Sequence, residues 1–409
     1  MLATTAAVAM LATACGGAAP VADRPSKAFD LRTVPVSAQQ QQQLAVADAA
    51  FGQALWAALA KPNQNVVASP ASIATALQMA YAGARGETAM EMARTMHLGP
   101  NTTPTEIAAA ASKLFAQLAP LKNDKHSLLR LADEVWLQRD FPIVPDYRAA
   151  MATGFDSAFH LADFAGHSED ARKAINAAIA AQTRDRVRDL FPTGFNLANT
   201  RLVLTNAIYL KAAWASPFEA AMTKPAAFTR ADHSVVHPAT MRAFERFDYA
   251  ATSSYQAVRL PYAGDRLAMT LLLPAAGQPL AWPTATPAFH SQTVDLTLPK
   301  FRFSWSDDLA KLLVDLGMPA AFSDGADFGG MARVPLHIGA VRHKAFIAVD
   351  EKGTEAAAAT AVTMDVSSAQ APGVIAHLHF DRPFLFRIDD TTTGLPLFLG
   401  QVADPTLGG

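Results

Sequence analysis

The 409-residue chain holds one cysteine, Cys15, so no intrachain disulfide is open to it. A chain this long buries a substantial core without one. Net charge is nearly absent too. The 34 Lys and Arg against 36 Asp and Glu leave −2 at pH 7 with no basic stripe, which argues against nucleic-acid binding. Catalytic patterns are missing. There is no GxSxG nucleophile elbow, and Gly83-Ala84-Arg85-Gly86 lacks the GK[ST] ending of a phosphate loop. The 11 His form no HExxH, and the chain shows no CxxC and no carboxylate–His cluster at metal spacing. His377 and His379 alternate along a predicted strand and read as solvent-facing. With no nucleophile–base constellation and no cofactor motif, the expectation is a protein that is not an enzyme and takes no cofactor.

No Gly/Ser/Pro-rich linker and no internal repeat divides the chain beyond its N-terminal segment, so one large domain is expected over residues 41–409. Residues 1–14 end an apolar, Ala-rich stretch in small residues before Cys15, the pattern of a lipoprotein signal whose cysteine is acylated after cleavage. The stretch lacks a positively charged start, and Ala12 stands three residues before the cysteine, where Leu is usual. It is too short to span a membrane. Residues 15–40 are polar, Pro-bearing and of mixed charge, and read as a flexible tether. The expectation is an exported chain, lipid-anchored at the cell envelope or else periplasmic or extracellular, that is otherwise a monomer.

Hydrophobic periodicity outlines the domain. Gln41–Gln43 opens a first helix with a stripe of Leu44, Ala47, Phe51, Leu55 and Leu59. Ser69-Pro70 caps a second over Ser72–Leu77. Residues 105–119 and 170–190 also repeat helically, and Asp307–Leu316 reads as a helix stopped by Gly317. Leu202–Leu210 is a strand apolar enough to be buried on both faces. Val258–Leu260 and Leu267–Leu273 form a hairpin around Ala263-Gly264-Asp265. Val294–Leu298, Ala345–Val349, Pro383–Ile388 and Leu395–Gly400 are further strands. Helices come early and strands dominate later, an α+β pattern.

The run from Glu351-Lys352-Gly353-Thr354-Glu355 through Ala356, Ala357, Ala358 and Ala359 to Val366 has two faces at period two. Thr354, Ala356, Ala358, Thr360, Val362, Met364 and Val366 form one; Glu355, Ala357, Ala359, Ala361, Thr363 and Asp365 form the other. Alanine is a poor strand former and the best helix former. From the residues alone, a strand held weakly in a sheet and a helix end followed by a linker remain equally open.

Several collinear blocks weigh on that choice. They are Asn65–Thr88 (NVVASPASIATALQMAYAGARGET), Ala132–Gln138 (ADEVWLQ), Thr200–Phe218 (TRLVLTNAIYLKAAWASPF), Leu296–Phe322, Val341–Thr360 (VRHKAFIAVDEKGTEAAAAT) and Asp381–Pro405 (DRPFLFRIDDTTTGLPLFLGQVADP). In order and spacing they resemble the serpins, serine-protease inhibitors of the suicide-substrate type, over about residues 45 to 405. The resemblance implies three β-sheets, eight or nine helices and an exposed reactive loop. It implies a hinge at Glu351, Gly353, Thr354, Glu355 and Ala356–Ala359, whose freed end enters the main sheet after a protease acylates the loop. Family spacing from Glu351 puts the scissile bond at Ser367–Ser368, flanked by Met364, Asp365 and Val366, with cleavage after Met364 or Val366 as the alternative. It further implies that Ser69, Ser72, Asn206 and His343 control sheet opening, and that Glu351 and Lys300 pair at the top of the sheet near Trp214. The first inward hinge residues are small and uncharged, which suits insertion. No Arg or Lys lies between Lys352 and Arg382, so an elastase-like or subtilisin-like serine protease is the expected partner. A cysteine-protease inhibitor and a non-inhibitory binding protein of the same fold are the alternatives.

Overall fold

The computed structural model describes residues 30–100, 102–122, 124–155, 159–283, 285–355 and 375–408. Cys15, Ala356–Ala359, Met364, Asp365, Val366, Ser367 and Ser368 lie outside them. Among the described residues there are seven α-helices: α1 (Ala38–Leu59), α2 (Pro70–Tyr81), α3 (Gly86–Thr95), α4 (Pro104–Gln117), α5 (Pro145–Gly154), α6 (Ser168–Gln182) and α7 (Ala310–Asp315). Short 3-10 turns accompany them.

The first helix begins at Ala38, three residues before the start expected at Gln41. Ser37 caps it: its Oγ accepts from the Gln40 amide while the Gln40 side chain reaches back to the Ser37 amide. Upstream, Leu31 is buried, and Lys113 Nζ donates to the Val34 carbonyl. The reading of residues 15–40 as a tether is therefore corrected for residues 30–40, which pack on the body. A capping box and one buried leucine are short signals, easily lost beside a polar, Pro-bearing composition.

Six strands make the main sheet, in the order Phe301–Asp308, Ala340–Asp350, Gly353–Thr354, Leu202–Ala213, Ser127–Gln138, Phe159–Ala162. Leu202–Ala213 is buried along its length apart from half-buried Lys211, as its unbroken apolar run predicts. Beside it, Ser127–Gln138 carries Asp133 and Glu134 in succession, and both are buried. Successive strand residues face opposite sides, so both faces of the sheet are covered. The Asp133 face meets α2 and the Glu134 face meets α6, whose Ile175 and Ile179 pack with Trp136, Val203, Ala207 and Ala340.

A larger, nine-stranded sheet stacks behind. Its hydrogen-bonded path runs Val66–Ala68, Pro396–Val402, Phe384–Asp390, Leu267–Pro274, Tyr255–Pro261, Ala239–Ala251, His290–Pro299, Ala376–His379, and the ninth strand, Lys224–Pro225, pairs with Ala239–Ala251 off that path. The predicted hairpin is there, pairing Pro261 with Ala268 around Gly264. A two-stranded ribbon of Phe228–Thr229 and Val235–Val236 completes three sheets.

Two helical expectations are shortened. Asp307–Leu316 splits, because Phe301–Asp308 pairs with Ala340–Asp350 as far as Asp308 opposite Arg342, leaving the helix only Ala310–Asp315. The 170–190 helix stops at Gln182, where Arg184 and Asp185 take positive φ of 52° and 61°.

Candidate functional site

The two central strands of the main sheet are zipped together along only part of their length. Ala340–Ala345 pairs in parallel with Val203–Ile208. Beyond Ala345 and Ile208 the strands part, and Gly353–Thr354 stands between them. It runs antiparallel to both, with Thr354 opposite Val349 on one side and Ala212 on the other. Gly353–Thr354 is thus a short strand set between the two central strands at their upper end. Thr354 points inward and is buried, its hydroxyl 2.5 Å from that of Tyr262. Glu355 donates its amide to the Ala348 carbonyl at 2.7 Å, then takes φ +41° and leaves the strand path. That backbone region is uncommon for a residue with a Cβ. Its carboxylate meets Arg186 Nε, from the loop after α6, at 2.5 Å.

Gly353 is required by space. Its φ is +148°, and a Cβ there would stand 2.0 Å from the Ala212 carbonyl oxygen and 2.9 Å from Ala213 Cα, both backbone atoms that cannot rotate away. Gly353→Ala is expected to expel the Gly353–Thr354 wedge and to lower stability by at least about 2 kcal/mol. Denaturant titration and hydrogen exchange at Ala212 and Ala213 would show it; unchanged exchange there would count against this role.

The top of the sheet fastens the turn that leads into the wedge. Lys300 Nζ lies 2.8 Å from Glu351 Oε2, and Thr223 Oγ1 donates to Glu351 Oε1 at 2.9 Å. Although burial works against it, the balance of the Lys300 and Thr223 hydrogen bonds and a backbone amide holds the Glu351 carboxyl below its usual range. The backbone carbonyls of Asp350, Glu351 and Lys352 are all taken: by Trp214 Nε1 at 3.0 Å, the Phe218 amide at 2.8 Å and the Trp214 amide at 3.0 Å. Trp214 in turn stacks on Tyr262, centroids 4.4 Å apart and 16° from parallel. Trp214, Tyr262 and Thr354 form one unit around the hinge entry.

Lower down, where the strands are still zipped, Ser69, Ser72, Asn206 and His343 come together as the resemblance implies. Asn206 and His343 are directly opposite each other across the parallel seam. The Ser69 amide donates to His343 Nε2 at 3.1 Å, so Nε2 is the acceptor. Nδ1 then carries the proton and donates to Asn206 Oδ1. Ser69 caps α2 by accepting from the Ser72 amide at 3.2 Å. Complete burial drives the His343 pKa from 6.5 down to about 3, keeping the ring neutral.

The sequence reading missed one member of this cluster. Asp133, on the strand beside Asn206 and in register with it, is hydrogen-bonded through Oδ1 to Ser72 Oγ. Its burial is the main reason its pKa rises from 3.8 to about 8; the neighbouring Glu134 carboxylate adds to it, and the Ser72 bond opposes it. Its Oδ2 and the Asn206 Nδ2 are buried without a hydrogen-bond partner. The signal was available: two consecutive carboxylates inside an apolar run, if that run is a strand, force one of them toward each covered face. On the other face Glu134 accepts from Trp136 Nε1 at 2.8 Å and from Gln182, and lies 3.2 Å from His160.

Chemically, the arrangement is a strand acceptor closed by a polar latch. Lengthening the Gly353–Thr354 strand requires separating Ala340–Ala345 from Val203–Ile208, and the His343–Asn206 bond crosses that seam. Opening replaces one parallel ladder by two antiparallel ones, which are the more stable per residue.

Comparison with known proteins agrees with this geometry. The serpin family profile, described as serpin (serine protease inhibitor), matches residues 46–405. An uncharacterized serpin-like protein of Thermococcus kodakarensis is 37% identical over 366 residues, covering 87% of this chain and 84% of its own. Among solved structures, human thyroxine-binding globulin in complex with thyroxine superimposes with a TM-score of 0.79 at 26% identity, covering 90% of this chain and all of that one. The thermophilic serpin tengpin in its native state gives 0.78 at 25% identity, with 90% and 95% covered.

Proposed function

The chain belongs to the serpin family, and from that premise we propose that it inhibits serine-type endopeptidases as a suicide substrate. The observation that carries the proposal is the part-opened sheet, with Gly353–Thr354 already paired on both sides at its upper end. A protease that attacks the loop forms an acyl-enzyme. Cleavage frees the hinge side of the loop. The strand then extends from Thr354 into the seam, gaining backbone hydrogen bonds and apolar burial. It carries the tethered protease with it before the ester is hydrolysed.

Each local element has a part. Glu355 returns to extended backbone and gives up its left-handed conformation. Tyr262 and Trp214 line the entry. The Ser69–His343–Asn206 chain resists opening until insertion breaks it. The chemistry is the protease's own: its nucleophile takes the acyl group of the scissile peptide bond as an ester while the amine of the following residue leaves, and the chain supplies that bond and the conformational change.

The bond offered is Ser367–Ser368, with Met364, Asp365 and Val366 before it, all outside the described residues. A small neutral residue ahead of the bond suits an elastase-like or subtilisin-like pocket. An exported setting with a lipid anchor at Cys15 is part of the same proposal.

The test is incubation of the chain lacking residues 1–15 with elastase, subtilisin, chymotrypsin, trypsin and papain, followed by denaturing gels and intact mass. A complex that survives denaturant, with a released peptide beginning at Ser368, is the expected result. A complex with papain alone would move the target to the cysteine class. Clean cleavage by every protease with no complex would leave a non-inhibitory binding protein.

A further inference from the structure

We propose that Asp295, His377 and His379 form a zinc-binding site that clamps the edge strand Ala376–His379 to its neighbour. Along the chain the carboxylate and the imidazoles are some eighty residues apart, which is why metal spacing in the sequence shows nothing. Strand pairing assembles them. Ala376–His379 runs parallel to Val294–Thr297, and Asp295 is directly opposite His377. His377 and His379 are two residues apart on one strand and so share a face. Asp295 Oδ2 lies 3.5 Å from His377 Nδ1 and 3.8 Å from His379 Nε2, and the three ligand atoms are all within 4.8 Å of one another.

Tetrahedral zinc holds N and O ligands at about 2.0–2.2 Å, which places neighbouring ligand atoms roughly 3.3–3.5 Å apart. Two of the observed separations are close to that, so small side-chain rotations suffice. Two imidazoles and one carboxylate are a ligand set zinc accepts, and the fourth position faces solvent. The carboxylate is positioned from behind. Arg242 Nε donates to Asp295 Oδ1 at 2.9 Å and Nη2 to Oδ2 at 3.1 Å. The bidentate guanidinium favours the ionised carboxylate. Oδ2 retains a lone pair toward the histidines, and Arg242 orients the carboxylate as outer-shell partners of metal ligands do. Asp295 has 11% of its side chain exposed, against 67% for His377 and 49% for His379, so an ion reaches the site without opening the fold.

The clamp has a mechanical consequence. Ala376–His379 ends the nine-stranded sheet and is held by four register pairs to a single neighbour. It is also the first described element after residues 356–374. A zinc ion bonded to both strands fixes the far anchor of that segment. The site stands whether or not the chain inhibits a protease.

The experiment titrates the full chain, stripped with chelator, with zinc chloride by calorimetry and with cobalt(II) by visible absorption. One equivalent should bind saturably, with cobalt bands of tetrahedral intensity. His377→Ala and His379→Ala should each weaken binding at least about tenfold, while the exposed His237→Ala leaves it unchanged. His377 is largely exposed, so its loss does not threaten folding, and thermal unfolding of the metal-free variants checks this. In the wild type, zinc should slow hydrogen exchange of the 376–379 amides. Absence of saturable binding, equal binding in the His377 and His379 variants, or unaltered exchange at that strand on binding would each overturn the proposal.

Discussion

Under the proposed mechanism, Thr354→Arg is expected to turn the chain from an inhibitor into a substrate. Thr354 is the last hinge residue inside the sheet, 2% exposed, with its hydroxyl on Tyr262. A guanidinium there would be taken out of water at a position where the side-chain partner is the neutral Tyr262 hydroxyl. Burying an unpaired charge costs several kcal/mol. Insertion competes with hydrolysis of the acyl-enzyme, and each 1.36 kcal/mol on a barrier is tenfold in rate. A penalty of about 4 kcal/mol would shift that competition about a thousandfold toward hydrolysis. The protease should release cleaved chain and recover full activity, with no denaturant-resistant complex. Thr354→Ser, which keeps the hydroxyl and the small volume, should still form complex. If the arginine variant traps protease as well as the wild type does, Thr354 does not lead the inserting strand.

The second large effect concerns pH, and it runs against the usual direction for a carboxylate. Asp133 has a folded pKa of about 8 against 3.8 unfolded. Between those values the folded chain holds a proton the unfolded chain has lost. Stability from this group is therefore full below pH 3.8 and is lost as pH rises toward 8, by about 1.4 kcal/mol per unit. His343, shifted from 6.5 to about 3, acts oppositely: its stability is present above pH 6.5 and lost as pH falls toward 3. The two slopes cancel between about pH 4 and 6.5. From 6.5 to 8 only the Asp133 slope remains, a loss on the order of 2 kcal/mol. Asp133→Asn keeps an acceptor for Ser72 and removes the titration. The difference in unfolding free energy between the two proteins, followed by denaturant titration from pH 5 to 8, isolates Asp133 because every other group is common to both. The asparagine variant should gain steadily on the wild type, by several kcal/mol in all. Parallel curves would mean that Asp133 titrates as an ordinary carboxylate. Because Asp133 sits on Ser72, beside the seam, the same series should show the wild-type seam, zipped from Ala340 to Ala345, opening faster at pH 8 than at pH 6, read by hydrogen exchange of those amides.

Much of this was legible in the residues. Leu202–Ala213 announces its burial by an unbroken apolar run, and Ser69-Pro70 announces the helix it caps. The members of the latch and the Glu351–Lys300 pair were named from the resemblance, and the structure brings them within hydrogen-bonding distance. Three things were not legible, for one physical reason. Asp133 in the latch, Tyr262 at the hinge entry and Asp295 beside two histidines each depend on which strand lies beside which. A sequence shows the period of a strand but not its neighbour or register. The capping box at Ser37 was missed differently: it is local, but it is a single pair of hydrogen bonds in a stretch whose composition is that of a tether.

The parted seam has one more consequence. Among the described residues, Phe346 and Ile347 on one strand and Tyr209–Lys211 on the other have no ladder partner across the gap, between the zipped segment below and the Gly353–Glu355 wedge above. Such edges recognise backbone, not identity. A short extended peptide of small residues, or the corresponding segment of a second molecule, presents the same amides and carbonyls as the chain's own hinge. The protein therefore presents a strand-accepting edge at the very place where Gly353–Thr354 pairs. Under the proposed mechanism, exchange between copies would depend on concentration, and the His343–Asn206 bond across the seam would oppose it as it opposes insertion.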